Sequence, residues 1–529
     1  MTESIRAKLS PAFSFETRKQ VLESLSNESF ELVIVGGGII GAACARDASL
    51  RGIKTLLVEK DDFASGTSSG SSKLIHGGIR YLKNFEFSLV YTAIRERERL
   101  ESLYAPFVRK MDFVFPTYEK VYPPRWMLNL GLGVYDSFTY FKERHRNLSR
   151  NKTMIDFPQL RSENLSGSMV YTDSFAEDYR LVIEVIKSAH KHGAQCINQV
   201  AASFFEEHTG GYTVGLHDSW DQKDYKVKTK FVLNCSGPFS DQVRALLQIK
   251  PSLHLTQGVH FIVLRDAVPL DKAFVLSDPD HDRILFAIPW NGITYLGTTD
   301  TNINDPAKAR ATKADLDYIL TMFKKYFTYQ ISPDDVLQSW AAVRPLIQPL
   351  DSESNSKISR EHLIEERPHR FFHVLGGKLT SHREIAEESI DKIARKMGIR
   401  KSCQTASLPL QDEPYRGGGD THLERTFGLY SADVRTYDEE RKLERKRITS
   451  THPHLVSEVI YSCHHEMAMS PLDFLRRRSS LYYEKPGKDL VPAIADIMRR
   501  ELNYSDLELD REINKALKSY EWDMEGFHS

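Results

Sequence analysis

The stretch from Phe30 to Lys60, FELVIVGGGIIGAACARDASLRGIKTLLVEK, admits few folds. An apolar run, Leu32-Val33-Ile34-Val35, leads into Gly36, Gly38 and Gly41, spaced as G-x-G-x-x-G. A helix-compatible run from Ala42 to Leu50 follows, and Gly52 marks its end. A second apolar run, Thr55 to Val58, then delivers Glu59, about 20 residues after the glycines. Strand, turn, helix and strand in this order make a βαβ unit, which requires a parallel sheet. Gly36 permits the tight turn, Gly38 lets a pyrophosphate approach the backbone, and Gly41 lets the helix pack on the strand. The free N–H groups at the helix start attract phosphate. Glu59, at a strand end, accepts hydrogen bonds from a ribose diol and repels a 2′-phosphate. An adenine dinucleotide is the expected ligand; flavin and nicotinamide both stay open at this point.

The rest of the composition narrows the class. A chain of 529 residues exceeds one ordinary core, so two or three domains are expected. Lys+Arg (71) and Asp+Glu (72) cancel, which argues against a nucleic-acid partner. Cys44, Cys196, Cys235, Cys403 and Cys463 are scattered without CxxC or zinc spacing, so reduced thiols, a cytoplasmic setting and no metal are expected. The N-terminus lacks an apolar signal segment, and no run of about 18 apolar residues occurs, so no membrane span is expected. Peripheral attachment needs only an amphipathic or basic patch.

Along the chain, residues 1–29 read as an N-terminal arm. A discontinuous dinucleotide domain is expected from 30–110, 165–250 and 341–404, because strand–turn–helix patterns recur there, as in RFFHVLGGKLTSHREIAEESIDKIARKMG. Residues 111–164 with 251–340 are rich in β-type segments and predict a mixed or antiparallel substrate domain. Residues 405–529 turn charged and helical, predicting an α-helical cap domain. The fold class is therefore α/β.

The loop after Glu59, DDFASGTSSGSSKLIHGGIRYL, carries hydroxyls and glycines suited to a pyrophosphate and a flavin ring, where a mobile linker is the plain alternative. GTSSGSSKLIHGGIRYL, with GGGIIGA before it, resembles the FAD-dependent glycerol-3-phosphate dehydrogenases and oxidases of the glycine/D-amino-acid oxidase superfamily. Further matches run in order: SFAEDYRLV, NCSGPF, QGVHFIV, FAIPW, YLGTTDT, WAAVRPL, ISRE and LGGKLTSHREIAE. They cover roughly residues 16 to 400. One departure is Cys235-Ser236-Gly237-Pro238-Phe239, where the family commonly has Ala-Thr-Gly-Pro-Trp.

The resemblance implies FAD as cofactor, contacted by Gly36, Gly38, Gly41, Glu59, Thr67, Ser68, Ser71, Ser72, Lys73, His76, Gly77, Gly237, Gly376, Gly377, Lys378, Leu379 and Thr380. It implies sn-glycerol 3-phosphate as substrate, with Arg80, Tyr81, Arg344, Arg360 and Lys378 around its phosphate. The implied reaction oxidises the C2 alcohol to dihydroxyacetone phosphate, and the electrons then pass to a quinone or to dioxygen. A histidine suits the proton acceptor, because nearby cations keep it neutral. His260 and His76 both lie in matched motifs, and His260 is favoured slightly; Arg344 completes the catalytic set. An amino-acid or amine oxidase on the same fold needs one carboxylate anchor rather than several cations. A flavin-bearing interaction module without catalysis is the reading from another class. The segment YPPRWMLNLGLGVYD is expected to pack on the flavin domain, with a lipid-facing role as the alternative. The run Arg476-Arg477-Arg478 reads as a solvated face, available for a homodimer or for the cytoplasmic face of the inner membrane.

Overall fold

The computed structural model describes residues 12–79, 86–281, 283–347, 362–417, 421–485 and 487–528. Its first sheet has a parallel core running in the order Phe371–Gly376, Lys223–Asn234, Ser29–Val35, Thr55–Val58 and Gln195–Ile197. The strand His362–Glu366 closes one edge antiparallel. Leu32, Val33 and Ile34 are all fully buried, as a strand covered on both faces must be. The helix Ile39–Leu50 is enclosed by the helices Asp178–Lys191 and His382–Met397, which explains its run of alanines and a cysteine in place of larger residues.

Pairing in register sets the strand ends side by side. Val35 faces Val58 on one side and Asn234 on the other, and Asn234 faces His373. The turns after these strands therefore open at one edge of the sheet. In open α/β sheets this C-terminal edge is where ligands bind.

Among the described residues the second sheet has ten strands and is mostly antiparallel. Its long pairs are Val108–Tyr118 with Leu165–Ala176, and Leu253–Leu264 with Val336–Ile347. Both of the latter strands, and Leu74–Ile75, belong to this sheet. The expected boundaries placed 74–75, 165–176 and 341–347 with the dinucleotide domain, and their strands pair within the second sheet. Residue type distinguishes a strand from a helix, but it does not say which sheet the strand joins.

The C-terminal part is helical from His422 to His528. Arg477 and Arg478 are buried, not solvated, and both pair with Asp62, at 2.5 Å and 2.9 Å. Asp62 lies just beyond Glu59, so this cluster ties the helical domain to the dinucleotide domain. Arg180 extends the tie, reaching Glu184 in its own helix and Glu466 in the C-terminal part. A charge run becomes a core feature because partners distant in sequence surround it.

The segment 122–136 divides its faces. Leu128, Leu132 and Tyr135 of the helix Arg125–Phe138 are buried, while Trp126 and Leu130 are 70% and 63% exposed.

Candidate active site

The turns at the sheet edge enclose a cavity of about 430 Å³. Gly36, Gly38, Glu59, Thr67, Ser68, Ser71, Gly237, Gly376, Gly377, Lys378 and Leu379 all line it. Gly36 has φ +111°, and a Cβ there would lie 2.6 Å from the Cys235 carbonyl oxygen. Gly41 lies inside the helix, where a Cβ would come within 1.9 Å of the Gly36 oxygen. Its absence of side chain seats the helix on the turn, and the first-turn Ile39 N–H donates to Ser68 Oγ at 3.0 Å beside the cavity.

Glu59 is held by two backbone donors: Gly37 N–H reaches one carboxylate oxygen at 2.6 Å and Asp61 N–H the other at 3.0 Å. Burial outweighs these bonds and raises the carboxyl to about 7. The folded protein thus keeps a proton that the unfolded chain releases above the ordinary carboxyl pKa. Stability linked to this proton is fully present at low pH and is lost as pH rises towards 7. In FAD-stripped protein the expected loss between pH 5 and 8 is of the order of 2–3 kcal/mol. Ribose hydroxyls would donate to the charged form, so FAD affinity should rise over the same window. Calorimetry of the stripped protein and FAD titration at both pH values test this; equal slopes in Glu59→Gln would remove Glu59 from either role.

The serine-rich loop after Glu59 is ordered by long-range bonds. Asp178 accepts from Ser71 N–H and Oγ at 2.9 and 2.7 Å and pairs with Lys73 Nζ at 2.7 Å. Thr67 Oγ1 donates to the Val343 carbonyl, Trp340 Nε1 to Gly70 and Tyr295 OH to Ser72. Lys73 is fully buried, with its ammonium 4.9 to 5.2 Å from the ring centroids of Trp290, Trp340 and Tyr179. Ser72 and Lys73 therefore support the loop and do not line the cavity. Asp178, the residue that organises them, sits inside the recognised motif SFAEDYRLV, but composition gave it no special mark.

A second cavity of about 300 Å³ shares Thr67, Pro345, Gly377 and Lys378 with the first. His76, Asp173, Arg283, Asp300 and Arg344 line it together with the rings of Phe113, Tyr171 and Phe286. Arg344 is held by Asp300 at 3.1 Å, by Thr298 Oγ1 at 3.1 Å and by the Thr299 carbonyl at 3.2 Å. Gly258 leaves room for it, since a Cβ there would lie 2.3 Å from Arg344 Nη2. Arg283 donates to the Asp300 carbonyl at 2.8 Å.

His76 lies against Asp173, whose carboxylate accepts from Tyr135 OH at 2.5 Å and from Arg97 at 2.7 Å. Burial, with Lys378 and Arg97, lowers the His76 pKa against the opposing pull of Asp173. Gly77 N–H donates to Tyr135 OH, and Thr380 Oγ1 accepts from His76 N–H at 3.1 Å. Gly77 and Thr380 thus position His76 and are not in the first cavity's lining. His260 is 2% exposed, stacked on Trp340 at 4.8 Å, with Nε2 2.9 Å from Ser72 Oγ. Burial, Arg344 and Lys73 push its pKa well down. Of the two expected histidines, His76 lines the cavity and His260 stands behind the loop. Arg80, Tyr81 and Arg360 fall outside the described residues. Asp173 escaped the sequence reading as a lone charge in an apolar strand, Arg97 as one of the alternating charges Arg95-Glu96-Arg97-Glu98-Arg99, and Arg283 as the end of the charged run Asp280-His281-Asp282.

A dinucleotide cradle that opens directly onto a cation-lined, partly aromatic pocket defines a dinucleotide-dependent oxidoreductase. The profile of the family "FAD dependent oxidoreductase" matches residues 31–388, and that of the "C-terminal domain of alpha-glycerophosphate oxidase" matches residues 415–509. The chain is 32% identical to an aerobic glycerol-3-phosphate dehydrogenase of Staphylococcus aureus, over 96% of this chain and 98% of the relative. The chain belongs to the aerobic glycerol-3-phosphate dehydrogenase family of FAD-dependent oxidoreductases. A Bacillus halodurans glycerol-3-phosphate dehydrogenase complexed with FAD superposes with a TM-score of 0.80, at 27% identity, covering 97% of this chain and 99% of that one. The Mycoplasma pneumoniae L-alpha-glycerophosphate oxidase with FAD bound shares the fold, with a TM-score of 0.57 at 18% identity, covering 69% and 95%.

Proposed function

We propose that the chain oxidises sn-glycerol 3-phosphate at C2 to dihydroxyacetone phosphate, with FAD in the first cavity and the substrate in the second. The observation that carries this reading is the convergence of Arg283, Arg344 and Lys378 with His76 in a pocket continuous with the dinucleotide cradle. A phosphate monoester brings about −1.5 to −2 charges near neutral pH. A guanidinium fork and an ammonium in a partly dry pocket are matched to it. Gly36, Gly38, Glu59, Ser68, Gly237 and Gly377 would hold FAD, and bound FAD supplies the two-electron acceptor for the C2 hydride.

His76 accepts the C2 hydroxyl proton on a ring nitrogen. Its lowered pKa keeps it neutral at pH 7, and Asp173 stabilises the charge that develops. Phe113, Tyr171 and Phe286 keep water from the carbinol end of the substrate. In the anaerobic reaction of the yellow protein with sn-glycerol 3-phosphate, the flavin absorbance should bleach; an unbleached spectrum overturns the reading. His76→Asn should slow that bleaching by about 10²–10⁴-fold and remove the fall in rate on the acid side. If His260→Asn removes that fall instead, the proton acceptor is His260.

Quinone is the proposed electron acceptor, with dioxygen as the other outcome of the same experiment once air or a quinone is admitted. Trp126, Leu130, Tyr140 and Phe141, each more than half exposed, support a peripheral seat on a membrane surface, where a quinone dissolves. Among the described residues no helix is long and apolar enough to cross a membrane. Vesicle flotation of the wild type and of Trp126→Ser/Leu130→Ser distinguishes this seat from a homodimer contact, which sedimentation reads.

A further inference from the structure

The helical C-terminal part contains a second cluster of ligating side chains, remote from the cofactor and substrate cavities. His422 opens the helix His422–Phe427, and His454 and Glu458 flank the start of the helix Val456–His465. His422 Nε2 lies 3.1 Å from both Glu458 carboxylate oxygens, and His454 Nδ1 lies 3.0 Å from one of them. The two imidazole rings meet edge to face, with centroids 4.4 Å apart. All three donor atoms fall within 4.8 Å of one another.

Three features separate this cluster from a chance meeting of polar groups. First, Glu458 is fully buried, and its ion partners among the described residues are the two histidines, with no lysine or arginine. So dry a carboxylate needs a balancing cation, either a proton on an imidazole or a bound metal ion. Second, the carboxylate is fixed in place, because Leu455 N–H donates to Glu458 Oε1 at 2.7 Å. Third, His422 and His454 line a cavity of about 450 Å³ that also presents Thr426, Thr451 and His452. That leaves an open side for a water ligand.

We propose that His422, His454 and Glu458 bind one divalent cation of the zinc class, with water from the cavity as fourth ligand. Two imidazoles and one carboxylate with an open position form a recurrent zinc donor set. Metal–ligand bonds of about 2.0–2.1 Å at tetrahedral angles separate donors by about 3.3 Å, close to the 3.0 and 3.1 Å that the two ring nitrogens keep from the Glu458 oxygens. The ion joins two segments of the helical domain on the side facing the Asn291-Gly292 turn of the second sheet. Its role is structural, since none of the three ligands lines either cavity at the sheet edge.

The test uses the FAD-loaded full chain, dialysed against a chelator and then titrated with Zn(II) alone. One equivalent per chain should bind and raise the thermal midpoint by several degrees. His422→Ala should weaken that uptake by on the order of 100-fold or more while FAD content and substrate turnover stay unchanged. Co(II) in place of zinc should give the strong visible absorption of a four-coordinate site, to the red of the flavin band. Absence of saturable uptake by the wild type overturns the proposal. So does uptake that is undiminished in His422→Ala, or a cobalt spectrum of the six-coordinate aqueous type. The wild-type titration stands even if the variant folds poorly.

Discussion

Arg344→Ala should lower kcat/KM for sn-glycerol 3-phosphate by about 10³-fold while the purified protein stays yellow. Charge-assisted hydrogen bonds contribute roughly 1.5–3 kcal/mol each, and a guanidinium fork makes two of them to one phosphate. Truncation has a second cost. Asp300, 3.1 Å from the guanidinium, would lose that partner and turn its carboxylate towards an anionic substrate. The FAD site should be untouched, because Arg344 lines the second cavity and the dinucleotide cradle is built from the first sheet. Arg344→Lys should recover only part of the loss, since an ammonium cannot bridge Asp300, Thr298 and the phosphate with one planar fork. Stopped-flow reduction across substrate concentrations reads the effect. Unchanged saturation and rate in Arg344→Ala would remove this residue from the phosphate site.

Asp62→Asn should destabilise the fold by about 3–5 kcal/mol and loosen the helical domain from the flavin domain. Asp62 is 1% exposed and faces Arg477 and Arg478, themselves 6% and 0% exposed. Neutralising it leaves two guanidinium groups buried without their shared carboxylate. The two arginines hold the Asp62 carboxyl at about 2. Its stabilisation is therefore complete above the ordinary aspartate range and is lost as pH falls towards 2. Denaturant midpoints and limited proteolysis between the domains measure the effect. A control follows from the same physics: Asp62→Leu combined with Arg478→Met should recover part of the loss, because Arg477 keeps Asp473 as its partner and Glu466 keeps Arg180. A single variant within about 0.5 kcal/mol of the wild type would show that the cluster is not a tie.

Much of the first cavity was legible in the chain. Gly36, Gly38, Gly41 and Glu59 are picked out by spacing alone, since the turn and the close packing of the helix depend on backbone shape over about 20 residues. The two sheets and the helical end could also be anticipated in outline from periodicity and composition. The second cavity was legible only in part. Arg344 and Lys378 were visible through motifs, but Asp173, Arg97 and Arg283 were not, because a charge has the same local signature whether it faces a pocket, a buried partner or solvent. His260 and Lys73 show the reverse case. Both lie in prominent motifs, yet Trp340, Trp290 and Asp178 pack around them, and neither lines the two cavities.

Local sequence by itself determined the nucleotide cradle, the α/β class and the helical C-terminal part, because each follows from interactions between near neighbours in the chain. Tertiary structure alone decided which sheet took Leu165–Ala176 and Val336–Ile347, which histidine reached the pocket, and that Arg477 and Arg478 are core residues bound to Asp62. Those outcomes depend on partners tens to hundreds of positions away, and burial and charge act through space with no mark on the local pattern.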